Sequence, residues 1–531
     1  MGCGRRRSRT RAAALDARNS AALARRQNAR GTGAVRGAGP SYRKKQYRPG
    51  PRPAPVREDE ETSVAITINA REEIAHARIG AFHLRFAALI TIIMFFDGYD
   101  LFNAAYVIPL VRKSWQPSPN MIGIMLSSGI VGLSIGSVVQ GLLSDRFGRR
   151  RTMLLALWML TGASALLATV VHTPTMFALL RLVMGVALGM VTPLALTCIN
   201  EWAPAKQANL FATWVFQLGF SAGGIFAGIA GLWLTPSFGW QSLYFIGALS
   251  FVVAIVAGFW LPESIQYLML RKRHEPVRKL LATLRPERAD VYRDAAFAPM
   301  HKPAKIGSVA ELLAPIYRRN TLVHWITGFL SLFCIHGLTG WLPTLVIAHG
   351  EGVSSAFAYG TTVMVASVFG GIGMGWLADR LRSRIRAMVV GYVFAAVSMG
   401  AIGLAIGHLW LPPFIIAAGF FVFGAQGVLN NYQAMSYRTE VRGTGMGVAV
   451  GLNRVGGIMG PIIVGAVASV TSSSGYTFGL FAIALALAAA VISLGQREIA
   501  AISAGTSAPN APPTRDEGDA GSLPDPGRAS H

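Results

Sequence analysis

Twelve apolar runs, each long enough to cross a bilayer as a helix, occupy the chain between about residue 82 and residue 496. Their approximate limits are 83–111, 120–143, 153–171, 175–200, 207–233 and 240–261, then 321–347, 354–378, 387–407, 412–436, 443–469 and 474–495. A polar stretch, 262–320, divides them six and six. A backbone in hydrocarbon must satisfy its own hydrogen bonds, so runs of this length are helices. Composition agrees. The 531 residues are 52% hydrophobic and 14% charged, against about a quarter charged in ordinary proteins. Mean hydropathy is +0.44 although both ends are polar. The fold class is therefore an all-α membrane protein of twelve transmembrane helices.

Charge sets the expected orientation, because cytoplasmic loops carry the excess of Lys and Arg. The loops after the second and eighth runs hold Arg146, Arg149, Arg150, Arg151 and Arg380, Arg382, Arg384, Arg386, and the central stretch holds Arg271, Lys272, Arg273, Arg278 and Lys279. On the other side HTPT, TPSFG, AHGEG and SSSG have none, and only Arg112 and Lys113 dissent. Both termini and the central loop are expected in the cytoplasm, with the protein in the cytoplasmic (inner) membrane. The net charge of +24 lies largely in these loops and in the first 80 residues, not in a basic domain with interleaved aromatics, so no nucleic-acid partner is expected. Five segments follow: a basic, disordered tail with a short interfacial helix over 1–81, a six-helix bundle over 82–261, a central cytoplasmic loop over 262–320, a second bundle over 321–495 and a disordered tail over 496–531. No apolar segment follows the basic start, so it does not read as a signal peptide. Three cysteines, Cys3, Cys198 and Cys334, make no disulfide framework.

The halves repeat. Gly141-Leu-Leu-Ser-Asp145-Arg146 recurs as Gly375-Trp-Leu-Ala-Asp379-Arg380, and Glu201 at the end of the fourth run has a counterpart in Glu440 at the end of the tenth. Two related bundles with a site between them are expected. GLLSDRFGRRR (Gly141–Arg151) resembles the hallmark loop between spans two and three of the major facilitator superfamily, and LPES (Leu261–Ser264) is similar to a motif there. Within it, DGYD at 97–100, WLPT at 341–344 and EVRGTGMGVAVGLNR (Glu440–Arg454) resemble the aromatic acid:proton symporter family. The resemblance covers all twelve runs and implies the major facilitator fold.

Asp97 and Asp100 are the first candidates for chemistry. At i,i+3 they share a helix face, and Asp97 lies roughly 20 Å in from the cytoplasmic end, near the depth where transport sites sit. Two acids in apolar surroundings disfavour both being charged, so at least one is expected to take up and release a proton. The alternative is a static partner for a buried arginine. The resemblance implies proton coupling too. Arg181 and Arg454 are buried cations expected to face a cavity or an acid. A guanidinium fork suits an organic carboxylate, or each arginine simply completes an ion pair. Gln426, Asn430, Asn431, Gln217, Tyr106 and His336 interrupt apolar helices; any of them can hydrogen-bond a phenolic hydroxyl, and polar groups also bind membrane helices together.

The loop Gly141–Arg151 reads as a conformational device. Gly141 and Gly148 permit a tight turn. Asp145 is expected to cap a helix or pair with a basic side chain across the bundle interface, beside Arg146, Arg149 and Arg150, and Asp379 and Arg380 are expected to do the same in the second half. Glu201, Glu440 and Arg442 are expected to complete charge clusters that lock one state. Positive-inside topology alone accounts for some of these arginines.

No GxxxxGK[ST] loop, metal-ligand spacing or nucleophile elbow occurs, so neither ATP chemistry nor an enzyme is expected, and no cofactor beyond the proton as coupling ion. The expected function is import of a hydroxylated aromatic carboxylate of the 4-hydroxybenzoate, protocatechuate or gallate class with protons. The expected partners are that acid, the proton and the bilayer, and a monomer is favoured. The alternatives are another organic solute, such as a sugar, a non-aromatic acid or an exported drug, or a transporter-like chemoreceptor. Against a drug exporter, the run 219–231 lacks the proline expected of the antiporter signature in the fifth span.

Overall fold

The computed structural model describes residues 67–204, 215, 217–298, 308–471 and 473–496. The expected tails before residue 67 and after 496, the entry to the fifth run and the side chain of Glu440 lie outside the described residues. Among the described residues, twelve helices are long and apolar enough to span a membrane. Spans one to six are Ala81–Trp115, Pro119–Phe147, Arg149–Thr169, Pro174–Trp202, Gly219–Phe238 and Gln241–Trp260. Spans seven to twelve are Arg318–Ala348, Val353–Arg380, Arg384–Ala405, Leu411–Met435, Val441–Val470 and Ser474–Ser493. Local chemistry sets several of the ends. Ser118 and Thr173 accept the N–H of Met121 and Met176, each at 3.3 Å, just before Pro119 and Pro174, which need no N–H partner in a first turn.

The spans form two six-helix bundles, one through six and seven through twelve. Glycine sets how closely they pack. In the first bundle a Cβ on Gly132 or Gly136 of span two would fall 2.0 Å from the carbonyl oxygen of Leu182 or Val186 in span four. The reverse holds for Gly185 and Gly189, at 2.1 and 2.2 Å from the oxygens of Gly129 and Leu133. Spans eight and ten repeat this with Gly370 against Phe420 O and Gly424 against Gly370 O. Spans one and five are matched by seven and eleven: Gly98 and Gly223 meet the oxygens of Phe220 and Phe95, as Gly456 and Gly460 meet those of Phe329 and Phe333. Lipid offers no hydrophobic drive between helices, so close backbone approach supplies the attraction. The internal repeat is thus physical as well as textual.

The described part of the central stretch is folded. It contains helices Ile265–Leu270, His274–Leu284 and Ala289–Asp294, and the N-terminal segment closes on it. Strand β1, Thr67–Ile68, pairs in parallel with β2, Ala296–Phe297. The helix Ala70–Ala75 then places Glu73 where Arg285, Arg288 and Tyr292 all donate to its carboxylate, at 2.7, 2.6 and 2.7 Å. Burial and this carboxylate push the Tyr292 hydroxyl well above the ordinary phenol range, so it remains a donor. Ile68, Ile74, Val277 and Leu281 are buried in the same core. Removing the shared acceptor takes the carboxylate from Arg288 and the acceptor from Tyr292, and leaves Arg285 only the exposed Glu287 at 3.1 Å, a loss of about 2–3 kcal/mol. Glu73→Ala is therefore expected to speed tryptic cleavage of the Arg288–Ala289 bond at least about tenfold, read by fragment mass. Cleavage at the wild-type rate would mean that the strand pair and the apolar contacts hold the segment without the carboxylate.

The bundles meet along two lines. Ser127 of span two donates to Ile458 O of span eleven at 2.7 Å, and Gly123 and Gly465 sit against the backbone of Pro461 and Pro119. Gly228 and Gly231 of span five face Thr361 and Phe357 of span eight. These contacts lie toward the arginine-poor end. Nearer mid-depth, Arg454 of span eleven reaches across to Ser137 Oγ and, at 3.5 Å, to Leu133 O.

Candidate functional site

Four consecutive residues of span one address three neighbouring helices. Asp97 is buried, and its Oδ2 accepts from Thr192 Oγ1 of span four at 2.9 Å. Pro193 interrupts the hydrogen-bond ladder of span four immediately afterwards. Gly98 admits the span five backbone at Phe220. Tyr99 donates to Leu243 O of span six at 2.7 Å. Asp100 is buried, accepts from Asn103 at 3.4 Å and faces Gly247 of span six, whose added Cβ would lie 2.4 Å from Asp100 Oδ1. Oδ1 of Asp97 and Oδ2 of Asp100 have no hydrogen-bond partner among the described residues. Neither acid forms a salt bridge there. The i,i+3 spacing thus puts both acids in the bundle interior with different neighbours, one toward span four and one toward span six.

Arg181 is buried and bridges span four to span one through the backbone. It donates to Asp100 O at 2.7 Å and Leu101 O at 3.4 Å. It also lines a small pocket between the bundles, with Leu101, Phe102, Leu126, His336, Thr339 and Pro461 among its walls. A second small pocket shares Phe102, Ala105 and Thr339 with the first and continues to Tyr106, Val363 and Met364. His336 packs against Gly457 of span eleven. Tyr106 meets the Phe357 ring edge-on at 5.1 Å, and its hydroxyl lies beside that of Thr361. It therefore both lines the second pocket and closes the bundle seam.

The other polar candidates lie elsewhere. Gln217 is exposed and donates to Ser221 Oγ at 3.0 Å. Gln426 donates to Asn430 Oδ1 at 2.9 Å, while Asn430 and Asn431 are exposed. None of these lines either pocket. Thr192, Ser137 and Thr339 make contacts that nothing in the sequence singled out, and Asn453 and Glu263 stood only within quoted motifs, without a role. Asn453 is buried against Gly328, and its Oδ1 has no hydrogen-bond partner among the described residues.

At the arginine-rich end the charge cluster lies within the first bundle. Glu263 Oε1 accepts the backbone N–H groups of Arg149, Arg150 and Ser264 at 2.8, 3.1 and 3.0 Å, so Glu263 rather than Asp145 caps span three. Gly148 at φ 95° is the turn residue, and a Cβ there would strike Glu263 Oε2. Arg149 pairs with Glu201, which also accepts from Ser264 Oγ at 3.0 Å. Arg150 donates to Gly258 O, and Arg271 donates to Arg146 O at 3.0 Å. Gly141 has open space around it. Asp145 and Asp379 are exposed, with no ion-pair partner among the described residues. Arg380 stacks over Trp376 at 5.6 Å, and Arg442 donates to Tyr437 O at 3.4 Å.

Comparison with known proteins agrees with this architecture. The chain is 32% identical over 450 residues to a gallate transporter of Pseudomonas putida, covering 83% of this chain and 98% of that protein. It is 29% identical over 421 residues to a benzoate transport protein of Acinetobacter baylyi (strain ATCC 33305 / BD413 / ADP1), covering 77% and 89%. Its fold is similar to that of a bacterial homologue of the human lysosomal transporter Spinster, solved in an inward-facing and unoccupied conformation, with a TM-score of 0.62 and 16% identity over 78% of this chain and 97% of that one. The model of the Major Facilitator Superfamily matches residues 90–461, and with twelve spans in two bundles around an inter-bundle pocket the chain belongs to that superfamily of multi-pass membrane transporters.

Proposed function

We propose that the protein imports a small aromatic carboxylate together with protons by alternating access. The observation that carries this reading is the inter-bundle pocket: an apolar slot for a ring, with Arg181 in its lining tied to the backbone of Asp100, one of two buried acids. The named activities of the gallate and benzoate relatives support an aromatic acid as cargo. Asp97 and Asp100 are the proton-coupling pair, and Arg181, His336 and Tyr106 meet the substrate. Arg454 joins the bundles through Ser137 and breaks that contact as they separate. Glu201, Arg149 and Glu263 keep the first bundle rigid while Asp145 and Asp379 await partners in the opposite state. With the arginine-rich end in the cytoplasm of the inner membrane, the seam between spans two and eleven and between five and eight closes the outer face, and the chain stands open inward.

The test is uptake of labelled 4-hydroxybenzoate, protocatechuate, gallate and benzoate into proteoliposomes with and without an inward proton gradient. Gradient-driven accumulation of at least one of these acids is expected. Uptake indifferent to the gradient would remove proton coupling, and no uptake of any of them would remove the aromatic acid as cargo.

A further inference from the structure

We propose that a hydroxylated substrate is held by both bundles at once, its carboxylate by Arg181 of span four and its ring hydroxyl by His336 and Thr339 of span seven. This rests on the transport reading above and adds the basis of selection among aromatic acids. Three side chains supply the polar groups of the slot, and they divide by bundle: Arg181 from the first, His336 and Thr339 from the second. Leu101, Phe102, Leu126, Ile130 and Pro461 supply apolar lining beside them, so the slot suits an apolar ring that offers polar groups to both bundles.

Donor and acceptor capacity fits this division. The Arg181 guanidinium has five N–H donors; Nη1 serves Asp100 O, Nη2 makes a longer contact to Leu101 O, and Nε has no hydrogen-bond partner among the described residues. Capacity for a carboxylate is left. Thr339 Oγ1 gives its proton to Ile335 O at 2.8 Å within its own helix, so toward the slot it can only accept. A phenolic O–H is a donor that also accepts. It can give its proton to Thr339 Oγ1 and take one from a neutral His336 ring nitrogen. An unhydroxylated ring leaves both groups without a substrate partner, which is how a site rejects an analogue lacking one hydroxyl.

The division has a mechanical consequence. A ligand held from one bundle binds without favouring any arrangement of the two. A ligand held from both stabilises the arrangement in which the grips converge, and only differential binding of that kind shifts a conformational equilibrium. Hydroxylated acids should therefore gain in turnover as well as in affinity.

The experiment compares 4-hydroxybenzoate with benzoate in proteoliposomes of wild type, His336→Phe and Thr339→Val under one gradient. The readout is the ratio of kcat/KM for the two acids within each protein, which cancels differences in the amount of active carrier. Wild type is expected to favour the hydroxylated acid. Each substitution is expected to lower the ratio by about tenfold, with part of the change in kcat. A ratio unchanged or raised in both variants overturns the proposal, as does a wild type that prefers benzoate. Wild type transporting neither acid is a separate result that removes the transport reading itself. Should His336→Phe fail to give a folded size-exclusion peak, Thr339→Val, nearly isosteric, carries the same ratio test.

Discussion

Asp97→Asn is expected to abolish accumulation of substrate against its gradient while substrate counterflow persists at a reduced rate. Asparagine keeps an oxygen that can accept the 2.9 Å hydrogen bond from Thr192, so the local packing survives. What it loses is the exchangeable proton. If proton and substrate bind with mutual preference, the coupling is reciprocal, and a side chain fixed in a neutral form cannot pass the driving force on. For one proton per monoanion no net charge moves, so the pH difference alone drives uptake. One pH unit is worth about 1.4 kcal/mol, or at most about a tenfold accumulation. The expected result is a fall in the steady-state accumulation ratio from near that ceiling to about one. Accumulation by the variant at the wild-type level would remove Asp97 from the coupling path.

Asp100→Asn makes a useful contrast. Asp100 faces Gly247 and Asn103 inside the first bundle, and its backbone oxygen, which the substitution leaves in place, holds Arg181. A loss confined to Asp97 would make Asp97 the carrier of the proton and Asp100 a packing group. Equal losses at both would point to one proton shared between them.

The sequence is a good guide to spans and burial and a poor guide to rotation and partners. The fourth run, expected over 175–200, is a helix over Pro174–Trp202, because hydropathy and a Thr-Pro start are local signals. The acids at 97 and 100 are buried as an apolar run requires. Their separate neighbours could not be read, since a helix that is apolar all round does not announce which face meets which helix. The same blindness hid Thr192 and Thr339. Thr339 satisfies its hydroxyl within its own helix, as membrane threonines commonly do, and nothing in the string marks it as lining a pocket. Glu263 was within reach: it is the acid of LPES, directly after span six, but its target at Arg149 lies 114 positions back in the chain. Glu73 was out of reach altogether, because its three donors come from residues 285–292 and their approach depends on the whole first bundle folding between them.

Gly185→Val is expected to prevent assembly of the first bundle. A side chain at Gly185 would place its Cβ 2.1 Å from Gly129 O, with backbone on both sides of the contact. A flexible side chain can swing aside, but a helix backbone cannot. Spans two and four would have to separate by about an ångström or more along their whole line of contact, since packed interiors do not deform locally. That would break the matching approaches of Gly132, Gly136 and Gly189 as well, and it would move Arg181, one turn before Gly185, away from the carbonyls of span one. A cost above about 4 kcal/mol is expected, enough to unfold a domain of ordinary stability. Gly424→Val, whose Cβ would fall 2.5 Å from Gly370 O in the symmetry-related pair, should damage the second bundle in the same way. Gly371→Val is the control, because nothing lies within 4 Å of a Cβ there. The measurement is folded yield in detergent and thermal unfolding by size-exclusion recovery, with the control near wild type and both packing variants lost. Survival of Gly185→Val at the wild-type midpoint would mean that the two spans are not held at glycine distance, and that the position of Arg181 must be set by other contacts.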